Sequence, residues 1–125
     1  MAEIKISELS VGDWVMIEGA PTKVWYLSAD GEVNDTTYDI EPIPLTPEIL
    51  EKNGFIDYEV GKGWYVLNVA GDLKVWLHRN SHDWTFQLME WSPLSTHEIG
   101  KVFIKHTHQL QHALRLAGVG KEIEV

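Results

Sequence analysis

The chain contains no cysteine. This absence excludes disulfides, thiolate nucleophiles and zinc sites built on cysteine, and it is typical of proteins in a reducing cytoplasm. The chain also lacks an apolar run approaching the ~20 residues that span a bilayer. Its first residues, MAEIKISEL, lack the apolar core of a signal peptide. We therefore predict a cytoplasmic protein without a membrane span.

Basic residues are scarce. Lysine and arginine together number 10 against 19 acidic residues, so the net charge is −9, and Arg79 and Arg115 are the only arginines. Proteins that bind a phosphate backbone or an acidic lipid surface present clustered lysine and arginine, whereas the bases here are scattered. The sequence predicts neither a nucleic-acid partner nor a membrane partner.

Motifs that carry catalysis or bind cofactors are missing as well. There is no G-x-S-x-G, no P-loop and no G-x-G-x-x-G, and the GKG at positions 61–63 is too short to cradle a phosphate. No stretch supplies a nucleophile, a base and an orienting group together. We therefore predict a protein without enzymatic activity and without a cofactor.

The chain does contain enough apolar residues for one folded domain. It has 125 residues, of which 44% are hydrophobic, and this composition suits a single domain over residues 1–125. The first third predicts three strands: LSVGDWVMIEG after a turn, TKVWYLSADGEV up to the hairpin signal Asp30 and Gly31, and TTYDIEPI. We expect these strands to form a small barrel-like meander.

The segment LTPEILEKNGF is predicted to form a short helix with both ends specified. Thr46 can cap its N-terminus, Pro47 suits the first helical position, and Glu48 meets the positive end of the helix dipole. At the other end Gly54 can adopt the left-handed conformation, and Phe55 can fold back against the helix.

Two alternating segments in the second half predict further strands. GWYVLNVAGDLKVWLH is typical of a hairpin, and WTFQLMEW of another strand. Leu73, Val75 and Leu77 form the predicted core face, which leaves Trp76 and His78 on the more exposed side. The candidate binding surface on this sheet comprises Trp76, His78, Arg79, Trp84 and Trp91.

The closing stretch is predicted to continue from KVFI as a helix to about Ala117. The predicted apolar side comprises Phe103, His106, Leu110, Ala113, Leu114 and Ala117. His108, His112 and Arg115 fall on the opposite side, which we expect to face solvent. The second candidate surface comprises His108, Gln111, His112 and Arg115.

His108 and His112 lie one helical turn apart, which is a two-ligand metal geometry. A catalytic zinc site needs a third protein ligand, and Gln109 stands where the zincin pattern has its glutamate. We therefore predict no metal site and interpret the pair as part of a solvated helix face.

Two stretches, EPIPLTPEILEKNGF and HTHQLQHAL, resemble the landmarks of small uncharacterised proteins common in Bacteroidetes genomes, prophages and mobile elements. In that family a pIpLTeewLlkfGF helix lies mid-chain and a yVHqLQNLyfaLtG helix closes the chain, and ELSVGDWVMIEG is similar to its ELRIGNyV start. The landmarks fall on Pro44, Leu45, Thr46, Leu50, Gly54, Phe55, His108, Gln109, Leu110 and Gln111. The chain departs at His112, where the family usually has asparagine. The resemblance implies a compact α+β domain and a phage or mobile-element context, with no established activity.

These observations predict an α+β fold with small antiparallel sheets, namely the N-terminal barrel-like meander and a hairpin sheet, a short central helix and a C-terminal helix. The predicted function is a non-enzymatic binding protein of phage or mobile-element type. Its candidate ligand is a small nucleotide-like immune signal, with tryptophan stacking the ring and Arg79 or Arg115 pairing the phosphate. The alternatives are a module that binds a host or phage protein, with self-association left open, and a metal-assisted hydrolase.

Overall fold

A computed structural model describes residues 6–28, 32–34, 40–91 and 96–125. In chain order its elements are a 3-10 turn (Ile6–Glu8), β1 (Trp14–Ile17), β2 (Ala20–Lys23), β3 (Ile40–Pro42), α1 (Pro47–Lys52), β4 (Ile56–Tyr58), β5 (Trp64–Ala70), β6 (Leu73–Arg79), β7 (Trp84–Trp91), β8 (Thr96–Ile104) and α2 (Thr107–Leu116). Strands β4 to β8 form a five-stranded antiparallel sheet in sequential order. Together with a three-stranded antiparallel sheet and the two helices, this sheet confirms the predicted α+β class.

The three-stranded sheet is more open than the predicted barrel-like meander. Strand β1 lies in its centre and pairs with β2 on one side and β3 on the other, so the described strands do not close into a barrel. The predicted second strand ends early, because the backbone N–H groups of Trp25 and Tyr26 donate to the side chain of Asn34. The predicted turn at residues 30–31 lies outside the described residues, as does the first part of TTYDIEPI.

Helix α1 has the two ends that the sequence predicts. The Thr46 hydroxyl accepts a hydrogen bond from the backbone N–H of Ile49 at 3.3 Å, and Pro47 opens the helix. Gly54 has a φ of +88°, and the N–H of Phe55 donates to the carbonyl of Leu50 at 3.0 Å. This pattern of a left-handed glycine and a returning hydrogen bond is the Schellman motif.

The inner face of the five-stranded sheet carries the main core. The predicted faces of β6 are confirmed, since Val75 and Leu77 are buried while Trp76 and His78 are partly exposed. Both helices pack on this inner face, because Leu50 of α1 and Leu110 of α2 belong to the same core. A second, smaller core beside the three-stranded sheet comprises Leu9, Val15, Val24 and Val33.

The start of the closing helix was predicted wrongly. KVFI belongs to β8, which pairs with β7, and the helix begins at Thr107. The side chain of Gln109 fixes this start, because its Oε1 accepts from the N–H groups of Lys105 and His106 at 2.7 and 3.1 Å. Phe103, assigned to the helix core, is instead 62% exposed on the sheet.

Helix α2 contacts both sheets through β8 and β1. Leu110, Ala113 and Leu114 pack into the main core, as predicted. Its C-terminus repeats the motif of α1, with Gly118 at a φ of +75° and the N–H of Val119 donating to the carbonyl of Leu114. Within the described residues, neither helix has the length and apolar character needed to cross a membrane.

We expect Leu110→Ala to lower the free energy of unfolding by ~2–5 kcal/mol, because it removes a fully buried side chain from the main core. Leu116→Ala on the same helix is the matched control. Leu116 is 91% exposed, so its loss should change stability by less than about 0.5 kcal/mol. Urea unfolding followed by circular dichroism measures both, and equal midpoints for the two variants would contradict the packing described for α2.

Candidate functional site

The polar side of α2 is covered by the N-terminal sheet. The side-chain amide of Gln111 joins the two elements: its Oε1 accepts from the N–H of Trp14 and its Nε2 donates to the carbonyl of Gly12, each at 2.9 Å. Gln111 is therefore buried against backbone that it satisfies. The prediction that this face of the helix is solvated is wrong here.

Asp13, which immediately precedes β1, is the second link between the N-terminal sheet and α2. Its fully buried carboxylate accepts from the N–H of Ser10 at 2.8 Å and lies 2.6 Å from Nε2 of His112. Those two contacts are made by Oδ2 of Asp13. Its other carboxylate oxygen, Oδ1, accepts a hydrogen bond from Nη2 of Arg115 at 2.8 Å. A buried carboxylate is costly unless several donors surround it, so His112 and Arg115 act as its partners and hold the helix to the sheet.

His108 is also buried, with only 1% of its surface exposed. Its Nε2 lies 3.8 Å from Oε2 of Glu8, and neither ring nitrogen has a hydrogen-bond partner among the described residues. Burial lowers the pKa of His108. The burial of His108 was not predicted, because the helical wheel assumes that a helix packs on one side only. Helix α2 packs on two sides, one against each sheet.

The chemistry available to this cluster is limited. Asp13 orients His112 as a carboxylate orients the base in a catalytic triad, and His112 lines a cleft of about 410 Å³ with Ser10 and His108. However, no described hydroxyl is hydrogen-bonded to the imidazole of His112. In the part of the chain that the structure describes, no three His, Asp or Glu side chains converge to hold a metal ion. The contacts that the cluster does make join α2 to the N-terminal sheet.

A different site lies on the outer face of the five-stranded sheet. The rings of Tyr58 and Trp76 are 5.1 Å apart and inclined at 85°, and those of Trp64 and Trp76 are 5.9 Å apart at 82°. His78 stacks on Trp64 at 4.2 Å. The rings of Tyr58, Trp64 and Trp76 border an open groove of about 390 Å³, which we call the aromatic groove. It is lined by Tyr58, Glu59, Trp64, Trp76, Gln87, Met89 and Thr96.

Strand register brings these aromatic residues together. Tyr58 pairs with Trp64 and Trp64 pairs with His78, so all three point to one face of the sheet. The alternation along β6 indicated Trp76 and His78, whereas Tyr58 and Trp64 were not predicted. Strands β5 and β6 form a hairpin in which Ala70 pairs with Leu73 next to the turn. If the pairing continued from there without a shift, Trp64 would lie opposite Arg79 and face the core. A register shift between Asn68 and Ala70 moves Trp64 by one position to the outer face.

Other predicted residues of the sheet surface do not belong to this groove. Trp84 was predicted to be exposed, but only 4% of its surface is accessible. It lies on the inner face of the sheet, where its indole N–H donates to the carbonyl of Leu45. Arg79 is paired with Trp84 in register and places its guanidinium 5.8 Å from that ring. Trp91 ends β7, and its side chain lies outside the described residues.

Neither arginine of the chain lines the aromatic groove. Arg79 is on the opposite face of the sheet, and Arg115 bonds to Asp13. Arg115 also borders a separate cleft of about 330 Å³, together with Lys23 and Lys121. The predicted combination of a stacked ring and an arginine-bound phosphate therefore has no arginine at the aromatic groove.

Comparison of the chain with protein-family models, with curated proteins and with solved structures finds no match. The resemblance to proteins of Bacteroidetes, prophages and mobile elements accordingly stays a prediction.

We expect the protein to lose stability as the pH falls below about 6.5, the ordinary pKa of histidine. Burial lowers the pKa of His108, so below pH 6.5 the unfolded chain binds a proton that the folded chain resists, and unfolding is favoured. The drop in melting temperature between pH 7.5 and 5.5 should be smaller for His108→Leu.

His82→Leu, a change at an exposed histidine, is the control and should keep the wild-type pH dependence. Because burial also lowers the pKa of His106, part of the dependence should remain in His108→Leu. An identical drop in His108→Leu and the wild type would contradict a buried neutral imidazole.

Proposed function

We propose that the protein is a non-enzymatic binding protein and that the aromatic groove is its ligand site. One observation carries this proposal: Tyr58, Trp64 and Trp76 border one groove and stay partly exposed. Large aromatic side chains of a small domain are usually buried, and a partly exposed cluster of them is typical of recognition surfaces. The phage or mobile-element context implied by the family resemblance is part of the same proposal.

The groove suits a small molecule better than a nucleic-acid strand. Its volume is about 390 Å³, Glu59 is the only charged residue in the part of its lining that the structure describes, and the chain carries a net charge of −9. An anionic strand would be repelled. The aromatic groove has no arginine to pair with the phosphates of a nucleotide-like signal. Nucleotides are therefore included in the test but are not the expected ligands.

We expect at least one class of small molecule to raise the melting temperature of the wild type and to lose this effect in Trp76→Leu. The panel contains nucleosides, nucleotides, aromatic amino acids and quaternary ammonium compounds, measured by thermal shift. A ligand at one hundred times its Kd stabilises the fold by about 2.7 kcal/mol, which corresponds to a shift of several degrees in a domain of this size.

Trp25→Leu is the matched control, because Trp25 is 61% exposed and lies outside the groove. It should keep the full response to any compound that acts at the groove. The proposal fails if no compound stabilises the wild type, or if Trp76→Leu and Trp25→Leu respond equally.

A second candidate function, a protein-interaction module, is favoured by the edge of the five-stranded sheet. Strand β8 is the last in the sheet order, and between it and α2 lies an apolar groove of about 430 Å³. Val102, Phe103 and Leu116 line this groove and are exposed. Long apolar edge strands are ready templates for pairing with another chain.

The favoured partner of this edge is a second copy of the chain. Glu98 and Lys101 lie on one face of β8, since they pair with Met89 and Gln87 of β7. An antiparallel second copy centred between Ile99 and Gly100 would therefore set Glu98 of each copy opposite Lys101 of the other. Opposite charges across a strand pair stabilise it.

We expect light scattering to show a dimer whose fraction rises with protein concentration. Phe103→Ser should reduce that fraction, since it removes an exposed apolar side chain beside the pairing edge. Val60→Ser, a change at an exposed valine outside β8, should leave it unchanged. A wild type that stays monomeric at every concentration would exclude self-association at this edge.

A further inference from the structure

The orientation of the rings limits which ligands the aromatic groove can hold. Flat ligands bind best between parallel rings, but the ring pair in the groove region closest to parallel, Trp64 and His78, is already in stacking contact at 4.2 Å and 30°. The rings of Tyr58 and Trp64 are nearly perpendicular to Trp76. These edge-to-face pairs bound the groove from two directions, a shape that suits a rounded group better than a flat one.

The charged side chain that lines the groove favours a cation, although Lys74 lies on the same face of the sheet, opposite the lining Met89. Among the described residues that line the groove, Glu59 is the only charged one, and a second carboxylate, Glu98, accepts a hydrogen bond from Nε2 of the lining Gln87 at 2.8 Å. Lys101, which pairs with Gln87 across the sheet, holds its amine over the ring of Phe103 at 5.8 Å. The net charge of −9 adds a long-range attraction for cations.

We propose that the aromatic groove recognises a quaternary ammonium group of the size found in choline. Aromatic faces attract a cation through the ring quadrupole, and methyl groups on nitrogen remove the strong hydration that a primary ammonium would have to lose. Tyr58, Trp64 and Trp76 supply the faces, Glu59 supplies the counter-charge, and Met89 adds a polarisable apolar contact. This inference rests on the proposed ligand-binding function and names the chemical class of the ligand.

The test compares choline with 3,3-dimethyl-1-butanol, a neutral molecule of the same shape in which carbon replaces nitrogen. Both are titrated into the full chain and followed by isothermal titration calorimetry. We expect choline to bind roughly five-fold tighter or more, since a cation–π contact contributes about 1 kcal/mol or more when partly desolvated. Equal affinity for the two compounds would overturn the inference.

Two variants separate the charge from the rings. Glu59→Gln keeps the shape of the side chain and should weaken choline binding several-fold while leaving the neutral analogue unaffected. Trp76→Leu should abolish binding of both. Because Glu59 is exposed, Glu59→Gln should fold normally and can be measured even if Trp76→Leu is unstable. Unchanged choline affinity in Glu59→Gln would contradict the proposed role of Glu59 as the counter-charge.

A further arm distinguishes the sources of the group. Co-sedimentation with phosphatidylcholine vesicles that is lost in Trp76→Leu would assign the quaternary ammonium to a lipid headgroup. Binding of free choline without vesicle binding would assign it to a small molecule. If choline fails while another compound of the thermal-shift panel binds in a Trp76-dependent way, this inference is wrong and the proposed function stands.

Discussion

Helix α2 has ten residues, which is too short for a stable helix alone in water, and it is stabilised by packing on both sides. Leu110 and Leu114 bury one side against the five-stranded sheet. The other side is joined to residues 12–14, at the start of β1, by the side chain of Gln111 and by the contacts of His112 and Arg115 with Asp13. The relative placement of the two sheets depends on this helix, because it contacts both of them.

This arrangement also decides which surface is free for recognition. Both helices pack on the inner face of the five-stranded sheet, and the histidine-rich side of α2 is occupied by contacts with the N-terminal sheet. The outer face keeps its aromatic residues partly exposed, among them Trp64 and Trp76. An antiparallel sheet with one covered face normally has a polar second face, so aromatic residues there call for a functional explanation.

Local signals in the sequence were sufficient for local structure. The cap at Thr46, the left-handed Gly54 and the alternation along β6 each act over a few residues, and each prediction is confirmed. Errors arose where tertiary contacts decide. The burial of His108 depends on a second sheet packed against α2, and the position of Trp64 depends on one register shift in a hairpin. Neither the second packing surface of α2 nor the register shift leaves a periodic signal in the sequence. Of the aromatic residues that line the groove, Trp76 could therefore be predicted, but Tyr58 and Trp64 could not.

The most direct measurement is a ¹⁵N-correlated NMR spectrum of the tryptophan indole N–H groups during a titration with choline. The indoles of Trp14 and Trp84 are hydrogen-bonded to backbone carbonyls away from the groove, at 2.8 and 3.1 Å, and they report on the fold. We predict saturable shifts of the Trp64 and Trp76 signals while those of Trp14 and Trp84 stay in place. Static Trp64 and Trp76 signals, or equal shifts at all four positions, would contradict a quaternary ammonium site in the aromatic groove.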